Sequence, residues 1–73
     1  MILKQMWEYN VAIEIKDGEN RMEYKAFNII SPDSPETGWA IIFSLLSKRG
    51  DLKDVTRINN CSAFQKEMTF LER

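Results

Sequence analysis

Seventy-three residues bury only about 60% of the surface their unfolded chain exposes, so an enclosed cofactor pocket would consume most of the interior. At 44% hydrophobic and 29% charged, the composition is that of a folded protein and not a disordered one. Ten Lys plus Arg against eleven Asp plus Glu, interspersed, give a net charge of −1, which supplies no basic track for phosphates and too few acids to imitate them.

The single Cys61 excludes an intrachain disulfide framework, and the N-terminus MILKQMWEYN lacks the sustained apolar core of a signal peptide. The longest apolar run, Trp39 to Phe43, is far short of the roughly 20 residues a bilayer span requires. The expectation is one small domain over residues 1–73, in a reducing, cytoplasmic compartment and without a membrane segment.

From Met6 to Lys16, Trp7, Tyr9, Val11, Ile13 and Ile15 alternate with Glu8, Asn10, Ala12, Glu14 and Lys16. Period two over this length predicts a half-buried strand. Asp17-Gly18 follows, a dipeptide that tolerates the positive φ angles of a two-residue hairpin turn. The return strand then runs from Glu19 to about Ile29. In that register Lys16 faces Glu19 and Glu14 faces Arg21, two opposite-charge pairs each worth a few tenths of a kcal/mol. Met22, Tyr24 and Ala26 then join Ile13, Val11 and Tyr9 on the inner face. Phe27 and Ile29 are left outside as an apolar patch unless a bulge turns them inward.

Ser31 to Pro35 is a breaker, because each proline disfavours helix at its predecessor and gives no donor to a ladder. Ser34 to Arg49 then reads as one helix. Ser34 suits the N-cap, Pro35 the first turn and Glu36 the positive end of the dipole, while Lys48 and Arg49 suit the other end and Gly50 the left-handed position beyond it. Trp39, Ile42, Phe43 and Leu46 form a sheet-facing stripe. Ile41 and Leu45 widen it beyond what one sheet face can cover.

Asp54 to Ile58 is predicted as a strand, and Asn59-Asn60 as a second hairpin turn leading into a strand over Cys61 to Phe70. The fold class is therefore α+β, a small two-layer domain of ββαββ order with one helix on one face of an antiparallel sheet. The alternative is ββαβα, with a C-terminal helix capped by Ser62 and Gln65 whose Phe64, Met68 and Leu71 share a face. The predicted core is Val11, Ile13, Tyr24, Trp39, Ile42, Phe43 and Leu46.

No histidine is present, which removes the commonest general base and metal ligand. A lone Cys61 without such a partner reads as a small hydrophobe. Asp51 with Asp54, and Asp17 with Glu19 and Asn20, are too few to build a metal or calcium site. The three glycines are isolated, so no phosphate-cradling loop is formed. No catalytic residue, metal ligand or cofactor is assigned.

The function expected is that of a small non-catalytic protein-protein interaction module. It would be an adaptor or inhibitor of a larger protein or assembly, of the kind phages and other mobile elements encode, and plausibly a homodimer; the association with such proteins rests on size alone. The alternative is a single-stranded nucleic-acid-binding protein, suggested by the eight aromatic residues. A small enzyme comes third. Interface candidates are Phe27 and Ile29 on the outer sheet face and Ile41 and Leu45 on the helix flank. The C-terminal segment can cover only one of these sites. If it packs beside the helix, Phe27 and Ile29 are exposed; if it extends the sheet as an edge strand, the helix flank is open.

Overall fold

The computed structural model describes residues 1–16, 18–19 and 21–71. Its elements are β1 (Ile2–Lys16), β2 (Met22–Ser31), α1 (Pro35–Lys48) and β3 (Val55–Phe70). Both β2 and β3 pair antiparallel with β1, giving the sheet order β2-β1-β3. The result is an α+β fold with one helix over one face of a three-stranded sheet.

The alternation of β1 does what period two requires. Tyr9, Val11 and Ile13 are buried and meet Ile42 and Leu46 of the helix, while Trp7, Ile15, Trp39 and Phe43 pack around that cluster. The rings of Tyr9 and Trp39 meet edge to face, with centroids 4.9 Å apart, the arrangement that the aromatic quadrupoles favour.

The hairpin register differs from the one charge pairing predicts. Lys16 lies opposite Met22 and Glu14 opposite Tyr24, so five residues, 17–21, make the connection. Asp17, half of the predicted turn, lies outside the described residues. The shift from the two-residue turn is odd in residue count, and so every β2 side chain changes face. Phe27 now opposes Val11 and Ile29 opposes Tyr9, and both pack against the core. They do not form an outer patch. Tyr24, predicted for the core, is 71% exposed. Full burial of a Phe or an Ile is worth about 1.5–3 kcal/mol, so even the partial burial of Phe27 and Ile29 outweighs the few tenths of each charge pair given up. On the outer face the register is held by the Asn28 side-chain amide, which donates to the Asn10 side-chain oxygen at 2.7 Å.

The helix begins and ends close to the predicted positions. Ser34 has extended dihedrals (φ −69°, ψ 159°), but its side chain makes no capping bond. Its carbonyl instead accepts from the amides of Thr37 and Gly38. At the other end Gly50 takes φ +81°, and the amides of Gly50 and Asp51 donate to the carbonyls of Ser47 and Leu46. That double bond pattern is a Schellman cap, which needs a left-handed residue at the glycine.

After the helix the order is ββαβ, correcting both ββαββ and ββαβα. Asn59 and Asn60 do not turn the chain; they lie inside β3, which continues to Phe70 as a single edge strand of 16 residues. Its partner explains this. β1 already extends back to Ile2, and an unbroken β3 gives Ile2 to Met6 a ladder, with Ile2 opposite Phe70 and Met6 opposite Lys66. Asparagine's tolerance of irregular backbone is used for a bulge, since Ala12 pairs with Asn60 while Ile13 pairs with Ile58. The Asn59 amide then donates to the Glu14 carboxylate at 2.9 Å. Beyond Trp7, where β2 ends, β1 and β3 continue as a two-stranded ribbon, and the molecule measures 50 × 25 × 17 Å.

Candidate functional site: the helix flank

At 3.6 residues per turn, the sheet-facing side of α1 is centred on Gly38, Ile42 and Leu46, all buried. The side chains one step round the helix have no cover. Ile41 is 47% and Leu45 43% exposed. Together with Ala40, Ser44 and Lys48 they line an open groove of about 400 Å³. Its relief follows from the residue sizes: Ala40 and Ser44 leave hollows between Ile41 and Leu45, and Lys48 closes one end.

Of the four sequence-derived candidates, the fold brings Ile41 and Leu45 together on one open surface and withdraws Phe27 and Ile29 into the core margin. This is the arrangement expected when the C-terminal segment serves as an edge strand.

The face of the sheet away from the helix carries a second set of apolar side chains, which the sequence does not mark as an interface. Ile2 pairs with Phe70, Lys4 with Met68 and Glu8 with Phe64. Ile2, Phe64 and Phe70 are 38%, 57% and 37% exposed. The Lys4 ammonium stands 5.6 Å from the centre of the Phe70 ring, a cation–π distance. The alternation Ile2, Lys4, Met6 was the available signal, but a strand begun at Met6 leaves it out.

Among the described residues the basic side chains do not form a continuous track. Lys25 opposes Ile13, on the helix side of the sheet, and Arg57 opposes Glu14. Lys66 reaches Glu8 at 3.5 Å, and Arg21 is bonded to Glu19. The exposed rings of Tyr24 and Phe64 lie opposite Glu14 and Glu8, so each of these two has a carboxylate beside it, which opposes a phosphate backbone; the Phe70 ring, by contrast, has a cation, Lys4, as its neighbour.

Two titratable groups are displaced from their ordinary values. Tyr9 is raised, chiefly by burial and then by the Asp33 carboxylate, and its hydroxyl donates to the Asp33 carbonyl. This holds the loop before the helix onto the sheet. Desolvation raises the Cys61 thiol, which lowers the thiolate fraction and hence its nucleophilicity at neutral pH. Among the described residues no three His, Cys, Asp or Glu side chains gather as a cation site, and no helix is long and apolar enough to cross a membrane.

Comparison with protein-family models, with curated proteins and with solved structures finds no match.

Proposed function

We propose that this chain is a small non-catalytic protein-protein interaction module, an adaptor or inhibitor that docks through the exposed flank of its helix. The observation that carries the reading is the groove at Ile41 and Leu45. Two branched aliphatic side chains stand nearly half exposed there beside small residues. An apolar centre with a polar rim at Lys48 is the anatomy of an interface. The groove is shallow and carries no convergent titratable groups, which suits a side chain or helix of another protein better than a reacting small molecule.

The test is affinity capture from cells of the source organism with three immobilised proteins: wild type, Ile41→Glu with Leu45→Glu, and Tyr24→Lys on the opposite face. Circular dichroism checks that each is folded. Wild type and Tyr24→Lys should retain the same protein partners, further copies of the chain included, and the helix double variant should lose them. If the double variant retains everything wild type binds, the flank is not the docking surface.

A further inference from the structure

We infer that the occupant of the helix flank is a second copy of this chain, with the two α1 helices packed antiparallel about a two-fold axis. This rests on the docking reading above and names its partner. Thr37, Ala40, Ile41, Ser44, Leu45 and Lys48 are all exposed. They fall within a sector roughly 140° wide on the helix surface. Their order is self-complementary. A two-fold axis through the midpoint between Ile42 and Phe43 brings Ile41 level with the partner's Ser44 and keeps each side chain on its own side of the seam, so Ile41 and Leu45 run beside the partner's Leu45 and Ile41, and the small Ala40 and Ser44 beside the partner's Ser44 and Ala40. The four large side chains form one apolar row, and the small residues on the other side let the two helices approach closely. Each copy offers the same patch to the other, which is what an isologous interface requires and what makes it close at a dimer.

Charge follows the same symmetry. Lys48, in the last turn, comes level with the partner's Thr37 and within side-chain reach of the partner's Glu36, in the first turn. The antiparallel pair thus gains two Lys–Glu contacts and opposes the two helix dipoles favourably. A parallel pair would instead set Lys48 against Lys48 and Glu36 against Glu36.

A contact made mainly by one helix of 14 residues lies at the small end of specific interfaces. Association should therefore be weak and concentration-dependent. Sedimentation velocity from micromolar to millimolar chain, at low salt, is the test. Wild type should pass from monomer to dimer with no larger species. Ile41→Glu should raise the dissociation constant by about tenfold or more, as loss of a central anchor does. Glu36→Lys and Lys48→Glu should each weaken the dimer, and the exchanged double variant Glu36→Lys with Lys48→Glu should recover it. Glu36, Lys48 and Ile41 are all exposed, so folding is retained.

A wild type that stays monomeric overturns the inference, as does a dimer indifferent to Ile41→Glu or a charge exchange that fails to recover association. If wild type is monomeric while the helix double variant still loses a different captured protein, the second copy is ruled out and the docking reading stands. If neither effect is seen, both fall.

Discussion

A Cβ added at Gly38 would lie 1.8 Å from the Tyr9 hydroxyl oxygen and 2.6 Å from the ring carbon that bears it. The helix can approach β1 this closely only because position 38 has no side chain. Alanine is normally the better helix former by about 1 kcal/mol, yet the clash with a buried, hydrogen-bonded ring should outweigh it. Gly38→Ala is expected to destabilise by about 1–3 kcal/mol in urea unfolding. Tyr9→Phe should cost a similar amount, because it removes the donor to the Asp33 carbonyl. With that oxygen gone, Gly38→Ala should cost less than it does in the wild type. Strict additivity of the two changes would mean that the contact is not what limits the approach.

Tyr9 also sets an alkaline limit. Its phenol is raised from an ordinary 10.0 by burial and then by Asp33. Below about pH 10 the group is protonated in both folded and unfolded chains, and its contribution is complete. Above that pH the unfolded chain ionises first, so stability falls as pH rises toward the folded-state value. Urea midpoints measured across pH 9 to 11 should decline more steeply for wild type than for Tyr9→Phe. Parallel declines would show that Tyr9 titrates alike in both states.

At the scale of elements, the hairpin register decides which side of β2 is core. Phe27→Ala should lower stability by about 3 kcal/mol or somewhat less, since the ring is partly buried. Tyr24→Ala, on the outer face, should stay within about 0.5 kcal/mol of wild type. The opposite order would restore the two-residue turn. What was legible in the sequence, and what was not, follows the range of each interaction. The strand through Val11 and Ile13, the Pro35 start and Gly50 stop of the helix, and the exposure of Ile41 and Leu45 could all be read from local signals. The β2 register could not, because the Glu14–Arg21 pairing is a local and weak preference, whereas the burial of Phe27 and Ile29 exists only once a helix covers the sheet. Asn59-Asn60 misled for a related reason. The pair fits a turn by itself, but the partner that keeps β3 straight is Ile2 to Met6, some sixty positions away.

Viewed whole, the molecule has a covered face under the helix, an outer face mixing Phe64, Met68 and Phe70 with Lys4 and Glu8, and an open helix flank. The outer face interrupts its apolar groups with charge and pairs Lys66 with Glu8. Such an exposed ion pair adds little stability but keeps the surface hydrated. The flank has no comparable device between Ile41 and Leu45. That contrast favours the helix flank over the sheet as the proposed docking surface.

The most direct measurement is a backbone-amide NMR titration of the wild-type chain against its own concentration. Shifts concentrated at Ala40, Ile41, Ser44, Leu45 and Lys48, with Phe64 and Tyr24 unmoved, are the predicted result. Shifts centred on the outer sheet face or along the free edge of β3, or none up to millimolar chain, would contradict it.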